Sequence, residues 1–419
     1  MISKWGWQLL QLGRKLWVHT VAYAVLALFT AFLAIAVQSF IPEIFADIIG
    51  AGAAEKILTI LASSMLTVTT FSLSVMIAAF SASTNSVSPR ATRLLMQDTT
   101  TQNALATFIG SFLFSIVSII LLNAGLYNER GEVVLFLATI LVVVLIVITI
   151  LVWINHLSGL GRVGETANRV EDEAYAALKK HNAAPWFYAN ALPQLSDIPA
   201  NAKAVVTETI GYLQHIDIKA LNNWASANEC QVYVVVRPGT FVEPSRPLFW
   251  HTAQQSDLTP PFKAFSIHDY RTFDQDPRFG LLVLAEIASK ALSPAINDPG
   301  TAIEVLGRGM RVLSNWQPQP DSEVLYQHVF VLPLVLADLF DDFFTPIARD
   351  GAGIIEIQVR LQKSLLALAQ LRGEFRQLAW QHSTAALARS EQAMTYAEDV
   401  KRLQAQHQRL QQGESGAGG

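Results

Sequence analysis

One cysteine, Cys230, stands in a chain of 419 residues, which excludes an internal disulfide framework and suits a reducing compartment. Charge is scarce as well. Asp, Glu, Lys and Arg make up 15% of the residues, and 30 basic side chains face 34 acidic ones. The resulting net charge of -4 offers no broad basic surface, so nucleic acid is not an expected partner. Catalytic signatures are also missing: the sequence holds no G-x-S-x-G, H-E-x-x-H, Walker A loop or Cys-x-x-Cys. His156, His181, His215, His251 and His268 lack ligand spacing, so no metal or cofactor is expected and no enzyme activity is supported. The Gly-rich "GLGRVGE" follows an apolar run rather than a strand, which argues against dinucleotide binding.

What the chain does have is apolar surface. Hydrophobic residues account for 51% and the mean hydropathy is +0.32, above the range of ordinary soluble domains. Four runs reach the ~20 apolar residues that a span needs: about Trp17 to Phe40, Ile57 to Phe80, Ala104 to Leu126 and Val133 to Leu157. No cleavage site follows the first, which reads as a retained span. Lys4, Arg14 and Lys15 precede it; Glu43, Asp47, Glu55 and Lys56 follow it. Arg90 and Arg93 lie in the second loop, "YNERGE" in the third, and Arg162 and Arg169 beyond the fourth run. The bias of Lys and Arg toward the cytoplasm then predicts a multi-pass inner-membrane protein with both termini inside.

The expected organisation is a transmembrane domain over 1–158, a cytoplasmic α+β domain over 159–350, C-terminal amphipathic helices over 351–412 and a flexible tail over 413–419. "GETANRVEDEAYAALKK" reads as a helix leaving the membrane and "NAAPWFYANALPQLSDIPANAK" as a loop. Val232 to Val236 form the best strand candidate, with a turn at Pro238 and Gly239. Asp276–Pro277 and Asp298–Pro299 each look like a capping residue followed by a first-turn proline. Helical spacing runs from Ile354 to about Gln412, with a break expected near Gln381 to Ser383.

Taken in order, "FSLSVMIAAFSASTNSVSPR", "GYLQHIDIKAL", "VVVRPGTFVEPSRPL" and "RTFDQDPRFGLLVLAEIASKALSPAINDPGTA" resemble a bacterial family of predicted membrane proteins known as a domain of unknown function. "ALSPAINDPGTA" is the most specific part. The sequence departs from that pattern at Ser245, where Gly is usual, and at Gly300, where a bulkier residue is common. The resemblance implies four spans with a cytoplasmic domain behind them, and no established activity.

The second span carries an unusual pattern. Ser63, Thr67, Thr70, Ser74, Ala78, Ser81 and Asn85 are three or four residues apart and therefore share one helical face. Such a face serves close helix packing, or it faces water as the lining of a path for ions or small solutes. Arg90 and Arg93 fall at its cytoplasmic mouth, either as positive-inside anchors or as a ring favouring anions. No Asp, Glu, Lys or Arg sits deep in a span, which argues against a carrier built around a buried charge.

Asn297, Asp298 and Thr301 are read as a helix cap or as a ligand site at the start of a helix. Asp338, Asp341 and Asp342, with His328 nearby, are read as a solvated acidic face or a hard-cation site. The sequence thus predicts a homo-oligomeric membrane pore or transport protein gated by its cytoplasmic domain. The alternative is a membrane-anchored sensor or scaffold whose domain binds a small ligand or a protein partner.

Overall fold

The computed structural model describes residues 4–13, 15–37, 53–96, 98–157, 159, 161–254, 257–319, 323–371 and 373–412. Arg14, Glu43, Asp47, the end of the first apolar run at 38–40 and the 413–419 tail lie outside the described residues.

The chain forms two compact units. One comprises Gln8–Asn85 and Thr92–Glu165; the other comprises Met1–Trp7, Ser86–Ala91 and Thr166–Gly419. The first is a helical bundle. After α1 (Lys4–Gly13) come α2 (Leu16–Val37), α3 (Ala53–Ser86), α4 (Pro89–Met96), α5 (Thr99–Asn123) and α6 (Glu129–Leu157). Among the described residues α2, α3, α5 and α6 are long and apolar enough to cross a membrane, as the four hydrophobic runs predict.

Two apolar clusters hold the bundle together. Ala31, Ala54, Leu58, Phe114, Leu121 and Leu135 form one; Leu61, Met65, Ala104, Phe108, Ile146 and Trp153 form the other. Two polar groups inside the bundle find internal partners, as a low-dielectric interior favours. The Tyr127 hydroxyl donates to the Ala31 carbonyl at 2.8 Å, and Trp153 Nε1 donates to Ser72 Oγ at 3.2 Å. Asp98 caps α5 by accepting the Thr101 N–H at 2.8 Å.

The second unit is α+β. Its long continuous part opens within α7 (Val163–Ala183) and contains a five-stranded mixed sheet and a three-stranded antiparallel sheet. The larger sheet joins β1 (Ala189–Ala191), β2 (Lys203–Val206), β4 (Val232–Val234), β6 (Pro247–His251) and β8 (Tyr326–Val331) in the order β1-β8-β4-β6-β2. β3 (Gly211–Ile216) is the centre of the smaller sheet, flanked by β5 (Phe241–Val242) and β7 (Phe265–His268). Leu213, Ile216, Val232, Val234, Phe249 and Phe265 share one core. Within it the Phe249 and Phe265 rings stack at 5.5 Å, and Cys230 is buried in the same core.

Helices complete the unit: α8 (Ile218–Ala227), α9 (Thr259–Phe262), α10 (Pro277–Ala291), α11 (Pro299–Ser314), α12 (Leu336–Asp350), α13 (Ile355–Ala369), α14 (Gly373–Ala393) and α15 (Ala397–Gln412). Phe340, Phe343 and Phe344 of α12 and Phe375 of α14 are fully buried. A side chain at Gly309 would run into the Phe343 ring, so α11 approaches α12 at glycine distance.

Three expectations need correction. The stretch read as a loop over 182–203 contains strand β1, Ala189–Ala191, paired with β8. The C-terminal helical stretch does not break near Gln381 to Ser383; its breaks fall between α13 and α14 and between α14 and α15. Ser383 is instead a buried junction, bonded to Gln362 and, at 2.7 Å, to His407 Nδ1. Asp276 holds the N-cap position of α10 with Pro277 in the first turn, but its side chain makes no capping hydrogen bond. Its carboxylate forks onto Arg271, at 2.8 Å from Nε and 3.0 Å from Nη2. Gly239, at φ 93°, lies so close that a Cβ there would stand 2.2 Å from Asp276 Oδ2.

Candidate functional site

The second span, α3, is amphipathic in an inverted sense: its stripe of Ser63, Thr67, Thr70, Ser74 and Ser81 points away from the bundle. Its buried face consists of Ala54, Leu58, Leu61, Ala62, Met65, Ser72 and Met76. Ser63, Thr67, Thr70, Ser74 and Ser81 are all exposed, and among the described residues no helix of the unit covers them. The side chain of Asn85 lies outside the described residues, although its backbone continues the helix. Bulky Ile60, Leu66, Phe71 and Ile77 are exposed on the same surface.

Ser63, Thr67, Thr70 and Ser74 each donate to an acceptor on their own helix. Thr67 Oγ1 donates to Ser63 O at 3.1 Å, Thr70 Oγ1 to Leu66 O at 3.0 Å and Ser74 Oγ to Thr70 O at 2.9 Å. Ser63 Oγ reaches Thr59 O at 3.1 Å and Ile60 O at 3.0 Å. These bonds spend the hydroxyl proton and leave oxygen lone pairs outward, so the face tolerates lipid and can also accept hydrogen bonds.

The packing stripe of the bundle lies instead on α5. Thr107, Ser111, Ser115 and Ser118 are buried there, and a Cβ at Gly110 would stand 3.2 Å from Tyr23 Cβ of α2. This is the small-residue packing that lets apolar helices approach. The spacing of these residues is as regular as that on α3. At one end of α5 a further polar group gathers. His156 Nε2 lies 2.8 Å from Asp98 Oδ2, and Thr101 Oγ1 donates to the same oxygen at 2.6 Å. His19 Nδ1 and Gln102 Oε1 are 3.0 Å apart.

Arg90 and Arg93 are both exposed on α4. Arg90 Nη1 donates to Glu286 Oε1 on α10 at 2.7 Å, so its charge is partnered within the α+β unit. Asn297, Asp298 and Thr301 meet at the head of α11. Thr301 donates to Asp298 twice, from N at 3.1 Å and from Oγ1 at 2.6 Å, and those bonds hold the Asp298 carboxyl below its ordinary value. Asn297 takes a left-handed conformation with φ 49°, which Asn tolerates better than most residues. The carboxylate thus fills the place where an anion would bind.

The acidic run on α12 is likewise occupied. Asp338 and Asp342 both hold Arg278, at 2.8 and 2.7 Å, and Asp341 lies 3.4 Å from His382. His328 sits on β8. A groove lined by Gly373, Arg376, Gln377, Trp380 and Leu410 has one charged side chain and no convergent set of acid and base.

Residues 13–367 match the family described as "Predicted membrane protein (DUF2254)". The chain belongs to this family. Curated relatives include uncharacterized proteins of Mycobacterium tuberculosis and Mycobacterium bovis, each 34% identical over 116 residues. That match covers 26% of this chain and 22% of the relative. No solved structure matches. Family and bundle agree on a membrane protein with four apolar helices followed by a domain of helices and mixed sheets.

Proposed function

We propose that the protein is an oligomeric inner-membrane pore or transport protein for ions or small solutes, with both termini in the cytoplasm. Copies assemble so that the hydroxyl face of α3 lines a shared path, and the α+β unit gates it. The observation that carries this reading is the outward, uncovered position of Ser63, Thr67, Thr70, Ser74 and Ser81. A face needed only for packing inside one subunit would be buried, as the α5 stripe is. Gating finds support in the chain path, since the α+β unit includes residues 4–7 ahead of α2 and residues 86–91 at the end of α3.

The test is flux through reconstituted liposomes. Replacing Thr70 and Ser74 together by Leu should abolish flux while the protein stays folded, because the lining then rejects hydrated solutes. Unchanged flux overturns the pore.

A membrane-anchored sensor or scaffold is the second reading. It is favoured by the hydroxyl bonds of Thr67, Thr70 and Ser74 to their own helix, which let the face meet lipid with no water present.

A further inference from the structure

The first described residues of the chain are held by a site more than two hundred positions away. The Lys4 backbone N–H donates to Asp217 Oδ2 at 2.7 Å, while Asp217 Oδ1 caps α8 through the Ala220 N–H at 3.0 Å. The Lys4 ammonium donates to the carbonyls of Lys263 and Phe265, at 2.7 and 2.9 Å. Trp7 is 5% exposed, and its Nε1 donates to Asp274 Oδ2 at 3.1 Å. The indole lies 5.2 Å from the His215 ring, nearly parallel at 10°, and 6.4 Å from His268.

His215 is the odd member of this set. It is 1% exposed, and among the described residues neither ring nitrogen has a hydrogen-bond partner. Ser266, its partner in the β3–β7 register, has an unbonded buried hydroxyl as well. A polar ring sealed in this way is stable only while neutral.

We infer that residues 4–7 are a releasable latch, docked at neutral pH on the His215 face of the three-stranded sheet and leaving it on acidification. Burial pushes His215 down from 6.5 to about 4. The charged groups around it are Asp217 and Asp274, which favour its protonation, and Lys4, which opposes it; His268 flanks the same indole. Undocking exposes the ring, removes Lys4 and restores the ordinary pKa, so the undocked form binds the proton better and acid favours it. The interval between 6.5 and about 4 corresponds to a change of up to about 300-fold in the docking equilibrium. The latch stands whether or not the bundle conducts, because it concerns only the α+β unit and the residues leading into α2.

Hydroxyl-radical footprinting of the full chain in lipid nanodiscs, read by mass spectrometry, tests it. At about pH 7.5 Trp7 and His215 should be protected. At about pH 5 oxidation of Trp7 should rise several-fold, while Trp224 and Trp316, buried in the same unit, stay protected. His215→Phe keeps a ring under the indole and removes the proton site, so Trp7 should remain protected at both pH values. If that variant loses Trp224 protection at neutral pH, His215→Asn takes its place. Oxidation of Trp7 that ignores pH overturns the latch. So does an equal rise in a folded His215 variant, or a rise at Trp224 and Trp316 together with Trp7.

Discussion

Arg90 and Glu286 form a 2.7 Å ion pair between the start of α4 and the middle of α10. The two are unequal partners: the Arg90 side chain is 54% exposed and that of Glu286 23%, and Glu286 Oε2 is buried without a hydrogen bond among the described residues. Removing the arginine therefore costs more than removing the acid, because it strands a half-buried carboxylate. Thermal unfolding of the full chain should show Glu286→Gln within about 1 kcal/mol of wild type. Arg90→Gln should be less stable than Glu286→Gln, and the double variant should match Glu286→Gln. Equal effects of the two single changes would show the pair to be solvent-screened.

The α3 and α5 stripes should respond in opposite ways to bulk. Gly110→Leu on α5 forces a side chain against Tyr23 and should lower the stability of the bundle by about 1–3 kcal/mol. Thr70→Leu on the open α3 face should leave thermal stability unchanged, whatever it does to flux. A destabilising Thr70→Leu would mean that another copy packs there tightly.

Two Asp-Pro steps in different surroundings show what sequence conveys and what it does not. At Asp298–Pro299 the carboxylate caps α11 through Thr301, as the local pattern predicts. At Asp276–Pro277 the same pattern meets Gly239 and Arg271, and the carboxylate turns to the arginine. Caps and hydrophobic runs are local and were legible. So was the existence of a polar face on α3, from its spacing. Which way that face turns was not, because α5 carries an equally regular small-residue stripe and only packing decides which is buried. Trp7 over His215 depends on contacts across 208 positions, to which no local pattern refers.

Asp298 gives a prediction with a definite sign. Hydrogen bonds from Thr301 depress its pKa below 3.8, so its stabilisation is present above pH 3.8 and is lost as the pH falls through the depressed value. Asp298→Ala should cost about 0.5–2 kcal/mol at neutral pH. The gap from wild type should close in strong acid when thermal unfolding is followed against pH. A gap that persists below that range would assign the loss to packing instead.

His181 should shape the acid limb at higher pH. Its ring stacks on Trp316 at 5.2 Å, and burial, aided by Arg237, pushes its pKa to about 3. The unfolded chain takes up this proton near 6.5 and the folded chain does not, so stability falls as pH drops from 6.5 toward about 3. His181→Phe preserves the stack and should flatten that decline in thermal unfolding. An unchanged slope would remove His181 from the acid response.

Cys230 gives the molecule an experimental convenience. Being the only thiol in the chain, buried in the sheet core and pushed by desolvation toward the protonated form, it is a poor target for polar thiol reagents. A cysteine installed at any exposed position of α3 would react against an almost silent background. The wild-type chain is therefore already a template for mapping, residue by residue, which side of that helix touches water.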